Sequence, residues 1–230
     1  MAARILVVED EHRQYRAVEG LLTEAGYQVR RAEDAPAALR LVGPSKADLV
    51  LLDLGLPAAE DGFQVLKQIR ALSEVPVVVV TGQSLGPEGT VAALESGAND
   101  YVRKDEDPTV LLARIRAALR QSAVATGTAE GALHIGELHI DLDRREATLE
   151  GALLALTPTE YSLLKVLAQN RGRVVTHQQI LERVWGQGYG DEQHYVRIYV
   201  GQLRKKLHDD ATRPRFIFSD PGVGYRFAEA

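Results

Sequence analysis

Asp10, Asp53, Thr81 and Lys104 each close an apolar run of strand length, and together they carry the chemistry of a phosphoryl-transfer pocket. The runs are Ile5-Leu6-Val7-Val8 before Glu9-Asp10, Leu49-Val50-Leu51-Leu52 before Asp53, Val77 to Val80 before Thr81, and Tyr101-Val102 before Arg103-Lys104. Alone, an aspartate after a strand reads as a helix cap or a turn residue, and a lysine there as solvated. Together, carboxylates, a hydroxyl and an ammonium at successive strand ends read differently. Aliphatic runs separated by helix-period segments mark strands buried on both faces of a parallel sheet, and such sheets bind ligands at the carboxyl ends of their strands. Glu9, Asp10 and Asp53 would repel one another in one crevice, so the site favours a hard, oxygen-seeking cation. Mg2+, which takes a few carboxylates and keeps waters, fits. Asp53 is then the nucleophile toward phosphorus, with Lys104 and Thr81 to receive other phosphoryl oxygens.

The elements that must position these residues alternate five times: Ile5 to Glu9, Arg13 to Ala25, Gln28 to Ala32, Ala35 to Val42, Leu49 to Asp53, Gly62 to Ala71, Val77 to Thr81, Thr90 to Ser96, Tyr101 to Arg103, and Pro108 to Gln121. Five βα units of this size predict an α/β domain, a flavodoxin-like doubly wound sheet. Leu111, Leu112, Ile115, Ala118 and Leu119 form one face of its last helix, and periodicity is lost from Ser122 to Gly131. The expected division is a domain over 1–121, a flexible linker over 122–131 and a second domain over 132–230. A coil of that length spans about 17 Å.

The alternation, the pocket residues and the phrases Val7-Val8-Glu9-Asp10-Glu11, Leu52-Asp53-Leu54-Gly55-Leu56-Pro57 and Gly97-Ala98-Asn99-Asp100-Tyr101 resemble the receiver domain of two-component response regulators. The resemblance implies that Asp53 is the phospho-acceptor, that Asp10 and the Gly55 carbonyl bind metal directly, and that Glu9 acts through water. It makes Thr81 and Tyr101 a switch pair. It implies a sensor histidine kinase as phosphoryl source and a homodimer formed on phosphorylation through the fourth helix, fifth strand and fifth helix. There the usual cross-subunit ion pair is replaced by Thr90 and Val110. Asp100 and Arg114 match a second such pair, and Val91, Ala92, Val110 and Leu111 offer an apolar surface. Asp105 follows Lys104 where the family has proline, which is expected to disturb the aim of the lysine, and the loop Pro57 to Gly62 reads as one residue longer than usual.

The second half alternates in shorter segments. His134-Ile135, Leu138 to Asp141, Ala147 to Leu149 and Leu153 to Leu156, punctuated by Gly136, Asp143 and Gly151, predict an antiparallel meander. Thr157-Pro158-Thr159-Glu160 and Thr176-His177-Gln178-Gln179 are capping boxes that open helices, and a third helix is expected from about Glu192 to Leu207. Phe216 to Phe218 and Tyr225 to Phe227 bracket Asp220-Pro221-Gly222-Val223-Gly224 as a hairpin. Val196, Val200, Leu203 and Leu207 form the third helix's core stripe. The opposite face holds His194, Ile198, Gly201, Gln202 and Lys205, with Arg197 and Arg204 on one flank. Between His194 and Lys206 there are four Lys/Arg residues and no acid, which suits a helix lying in a DNA major groove.

Meander, helices and hairpin resemble the α+β winged-helix effector of OmpR/PhoB-type regulators. The resemblance assigns His194, Tyr199 and Arg204 to phosphate contacts and Arg197, Ile198 and Gln202 to base edges. Pro221 stands where many relatives carry a wing arginine. Promoter DNA and, through it, RNA polymerase are the implied partners. Asp53 to Pro57 and His194 to Tyr199 look most like regulators of potassium-uptake operons.

Composition excludes other classes. The 230-residue chain has no cysteine, so it has neither a disulfide framework nor a thiolate metal site. No apolar stretch approaches a membrane span, and Met1-Ala2-Ala3-Arg4-Ile5 lacks a signal-peptide pattern, so a cytoplasmic protein is expected. The net charge is −5, with 14 basic against 18 acidic residues through Gln121 and 13 against 14 beyond it. Two rivals use the same nucleophile or the same helix. An aspartyl-phosphate phosphohydrolase would want an acid-base aspartate where Gly55 stands, and a phosphorylation-independent DNA-binding protein would need a degenerate pocket. The expectation is therefore a chain that accepts a phosphoryl group on itself rather than a turnover enzyme.

Overall fold

The computed structural model describes residues 2–42, 46–56, 62–82, 86–123, 131–186, 188–190 and 192–229. The chain divides into two compact units, 1–122 and 123–230. The loop 57–61 and most of the expected linker, 124–130, lie outside the described residues, whereas Ser122 and Ala123 belong to a helix.

In the first unit β1 (Arg4–Val8), β2 (Gln28–Ala32), β3 (Leu49–Leu52), β4 (Val77–Thr81) and β5 (Asp100–Arg103) form one sheet of order β2-β1-β3-β4-β5, every pair parallel. The strands alternate with α1 (His12–Glu24), α2 (Ala35–Leu41), α3 (Gly62–Leu72), α4 (Gly86–Glu95) and α5 (Pro108–Ala123). Ile5, Val7, Leu49, Leu51, Val78, Val80 and Val102 bury one sheet face against Tyr15 and Leu22 of α1 and Leu111, Ile115 and Ala118 of α5. The alternate residues Leu6, Val8, Val50, Leu52, Val77 and Val79 are at most 1% exposed, so both faces are covered as the unbroken apolar runs require. Each such side chain contributes about 1.5–3 kcal/mol on burial. Asp34, with Pro36 behind it, caps α2 by accepting from the Ala37 N–H at 2.7 Å.

The strand order reverses beside β1, and the ladder runs on past the strand ends. The Glu9 N–H donates to Ala32 O at 3.0 Å, Asp53 N–H to Val8 O at 3.1 Å, and Lys104 N–H to Thr81 O at 2.9 Å. These bonds bring Glu9, Asp53 and Lys104 to one edge of the sheet.

The second unit opens with the meander β6 (Ala132–Ile135), β7 (Leu138–Asp141), β8 (Glu146–Leu149) and β9 (Ala152–Leu153), in sequence order and antiparallel. The last strand is shorter than expected: it ends at Leu153, the Leu154 N–H still donates to the Ala147 carbonyl at 2.8 Å, and Ala155 and Leu156 lead into the Thr157 cap. Both capping boxes form, at Thr157 with Glu160 and at Thr176 with Gln179, opening α6 (Pro158–Gln169) and α7 (His177–Val184). The third helix is α8 (Gln193–Leu207). β11 (Ile217–Asp220) and β12 (Gly224–Phe227) make the hairpin, and a strand not anticipated, β10 (Val174–Thr176), pairs with β12 to give the order β10-β12-β11. Gly224 is required there, because a Cβ would sit 2.0 Å from the Val175 carbonyl.

Candidate functional site

The carboxyl edge of the parallel sheet gathers the pocket residues. Glu9, Asp10 and Asp53 offer carboxylate oxygens that lie within 4.8 Å of one another, with Glu9 and Asp53 buried and Asp10 exposed. This hard-oxygen donor set fits a small divalent cation. Lys104 Nζ donates to Glu9 Oε2 and to Asp53 Oδ2, each at 2.7 Å, and also to Gln14. Burial pushes the Glu9 carboxyl above the usual carboxylate range, and the bond from Lys104 offsets this only in part. Burial works against the Lys104 ammonium, but its bonds to Asp53 and Glu9 outweigh that and hold its pKa above the ordinary value.

The Asp53 carboxylate is oriented at both oxygens. Gly55 N–H donates to Oδ1 at 3.0 Å while Lys104 holds Oδ2. A Cβ on Gly55 would lie 3.4 Å from both oxygens, in ordinary van der Waals contact with the carboxylate. The departure at Asp105 does not misdirect the lysine. Asp105 turns to Arg103, whose Nε donates to it at 2.8 Å, and the backbone bond to Thr81 sets where Lys104 leaves the sheet.

Thr81 is 1% exposed at the end of β4, between β3 and β5. Tyr101 is half-buried, and burial raises its phenol pKa. Thr90 is 7% exposed and so belongs to the interior rather than to a docking face. Leu111 is likewise part of the core, packed with Ile115 and Val102. Ala92 is exposed, and Val91 and Val110 are half-buried. The expected intersubunit pair Asp100 and Arg114 meets within one chain: the groups are 3.7 Å apart, with Asp100 only 2% exposed, so no subunit boundary is needed for the pair.

On α8 the core stripe Val196, Val200, Leu203 and Leu207 is at most 1% exposed. The stripe is wider than the pattern suggested, because Tyr195 and Tyr199 are also 1% exposed and pack on Trp185. A phosphate contact by Tyr199 is therefore corrected: its ring is core, with centroids 5.3 Å from Trp185. His194, Arg197 and Lys205 are exposed, and Ile198, Gly201 and Gln202 are half-exposed on the same side. Nothing lies within 4 Å of a Cβ built on Gly201, so this part of the helix is open to a close approach. Arg204 is committed elsewhere. Its Nη2 donates to Ile217 O at 2.7 Å and Ser219 Oγ at 3.0 Å, so it braces the hairpin against the helix instead of standing ready for a phosphate.

Two residues of the pocket escaped sequence reasoning. Gln14 reaches Lys104 from α1, and Arg31 lies behind the Glu9-Asp10 loop from β2. Neither follows an apolar run, and an arginine in an alternating strand reads as a solvated face, so only the register of β1 on β2 could have found it.

Comparison with known proteins agrees with this geometry. Residues 5–116 match the response regulator receiver domain, and residues 151–227 match the C-terminal domain of transcriptional regulatory proteins. The transcriptional regulatory protein KdpE of Mycobacterium tuberculosis H37Rv is 39% identical over 223 residues, 97% of this chain and 98% of that protein. The KDP operon regulator KdpE of Escherichia coli K12 is also 39% identical with the same coverage, and the sensory transduction protein RegX3 of Mycolicibacterium smegmatis is 38% identical over 96% of this chain and 97% of that protein. Among solved structures, a RitR mutant superimposes with a TM-score of 0.81 at 25% identity over the whole of both chains. The response regulator DrrB, a Thermotoga maritima OmpR/PhoB homologue, gives 0.52 at 30% identity over 99% of this chain and 100% of that one. With its acidic pocket on a receiver sheet and its capped helices and hairpin behind a meander, the chain belongs to the OmpR/PhoB-type response regulators, transcription regulators that join a receiver domain to a winged-helix DNA-binding domain.

Proposed function

We propose that the chain is a phosphorylation-switched transcription factor in which Asp53 accepts a phosphoryl group from a sensor histidine kinase. The observation that carries this reading is the Lys104 ammonium held 2.7 Å from both Asp53 Oδ2 and Glu9 Oε2, within a cluster of three carboxylates. Glu9, Asp10, Asp53 and the Gly55 carbonyl would hold Mg2+. When bound, the cation supplies charge neutralisation between the nucleophile and the phosphoryl oxygens. Gly55 N–H fixes Asp53 Oδ1, which leaves Oδ2 as the attacking atom. Lys104 then passes from Oδ2 to a phosphoryl oxygen, and the Thr81 hydroxyl takes another. Thr81 moving toward that group changes the space beside Tyr101, which follows Asp100 on the neighbouring strand β5.

The output of the switch is a receiver homodimer on promoter DNA. Arg197, Ile198 and Gln202 would read base edges and His194 and Lys205 would meet phosphates, with RNA polymerase as the downstream partner. Potassium-uptake genes are the target favoured within this reading, by the 39% identity to two KdpE proteins over 97% of the chain. The test is site selection from random DNA with and without a small phosphodonor and Mg2+. The expected result is tighter binding after phosphorylation to a direct repeat with half-sites about 10–10.5 bp apart. Equal affinity in both states, or recovery of inverted repeats alone, contradicts the reading.

A further inference from the structure

The loop that supplies two of the three acidic residues is held from behind by an arginine. Arg31 lies on β2 opposite Val7, two residues before Glu9 in the parallel register. Its Nε donates to the Glu9 carbonyl at 3.2 Å and its Nη2 to the Asp10 carbonyl at 2.7 Å. Nη1 donates to Glu33 at 2.6 Å and meets His12 Nδ1 at 3.1 Å. The guanidinium carbon lies 5.0 Å above the Tyr15 ring, and Tyr15 OH is itself held by Glu19 at 2.6 Å. Only 16% of the Arg31 side chain is exposed. Contacts on every edge and on one face leave this planar fork a single orientation.

We propose that Arg31 is a positioning residue for the cation site: by clamping the consecutive carbonyls of Glu9 and Asp10 it fixes the backbone from which both carboxylates project. The inference rests on the reading of the pocket as a Mg2+-dependent phosphoryl acceptor. Two effects of the residue oppose each other. A positive charge behind the loop disfavours a cation, whereas a fixed loop pre-pays the ordering of its ligands. Glu33, 2.6 Å from Nη1, neutralises much of the charge, so geometry dominates. Lysine would keep the charge but presents a single ammonium on a flexible stem, so it cannot reproduce the fork across two carbonyls.

The experiment uses the full-length chain as wild type, Arg31→Ala and Arg31→Lys, with Arg31→Gln replacing the alanine variant if that one fails to fold. Mg2+ affinity is measured by calorimetry without phosphodonor, and the initial rate of phosphoryl uptake is measured across a Mg2+ series. The expected result is a dissociation constant for Mg2+ raised about 10-fold or more in Arg31→Ala, the range seen when partners of metal ligands are removed. Arg31→Lys should recover little of it, and the uptake rate should return to the wild-type value at saturating Mg2+. Unchanged affinity in Arg31→Ala overturns the inference. So does tighter affinity that lysine restores, which would make the charge the operative feature, and so does a slower rate at every Mg2+ concentration with an unshifted half-saturation. A wild-type protein that binds Mg2+ yet takes up no phosphoryl group sinks the acceptor reading alone, and the calorimetry still judges Arg31. A wild type that binds no Mg2+ overturns both.

Discussion

Gly62→Ala should damage a site to which Gly62 contributes no side chain. Gly62 opens α3 and is buried against the residue that follows Asp53: a Cβ there would lie 2.6 Å from Leu54 Cα, 2.9 Å from its carbonyl oxygen and 3.0 Å from its carbonyl carbon. All three atoms are backbone, so no side chain can swing away. Ordinary carbon contacts begin near 3.4 Å, and the segment 53–55 must therefore yield by about 0.8 Å. Alanine gains at most about 1 kcal/mol in helix propensity, less at a helix start, whereas overpacking of this kind costs about 1–3 kcal/mol, so the net effect is a loss of about 1–2 kcal/mol. A misplacement near 1 Å can slow a positioned reaction by about 10²-fold. Denaturant midpoints of the full chain and initial rates of phosphoryl uptake at saturating Mg2+ check this. A variant of wild-type stability and wild-type rate would refute the argument that Gly62 sets the nucleophile's position.

Arg204→Ala should destabilise the DNA-binding unit by about 2–3 kcal/mol, since it removes charge-assisted bonds to Ile217 and Ser219, while changing the salt slope of DNA binding by less than about one unit. Lys205→Ala, at an exposed position, should lower that slope by about one unit without loss of stability, and anisotropy titrations across a salt series separate the two. Burial, with the charge of Arg197 adding to it, depresses the His177 pKa, so the unfolded chain binds the proton more readily. Stability is then full above about pH 6.5 and falls as pH drops from there toward the depressed value. His177→Gln should flatten this part of the pH profile of the unfolding midpoint. The dimer expected on phosphorylation should form through Val91, Ala92 and Val110, because Asp100 and Arg114 pair within the chain. Sedimentation should find little salt dependence and loss of the dimer in Val110→Asp.

The receiver was legible because β1, β3 and β4 are buried on both faces, so each is an unbroken apolar run with a polar residue at its end. Leu49 to Asp53 could hardly be anything else. The two capping boxes were legible for a related reason, since Thr157 with Glu160 and Thr176 with Gln179 satisfy backbone donors by a local pattern. What failed was decided by tertiary contact. Tyr199 sits at a helix position that spacing assigns to a flank, yet Trp185, distant in the pattern, draws it into the core. Arg204 is indistinguishable in sequence from a phosphate-binding arginine until the hairpin arrives beside it. β10 has three residues and ends on the cap of the next helix, too short for any alternation to show. The family pattern places a proline where Asp105 stands, but the ladder bond from Lys104 to Thr81 sets where the lysine leaves the sheet.

Every step of the switch depends on Asp53 being the phosphoryl acceptor of a cation-dependent site. Intact-mass measurement of the full chain after incubation with a small phosphodonor and Mg2+ tests it most directly. One phosphoryl adduct is expected on the wild type, absent in Asp53→Asn and absent when Mg2+ is chelated. Equal labelling of Asp53→Asn, or an adduct formed as readily without the cation, would contradict it.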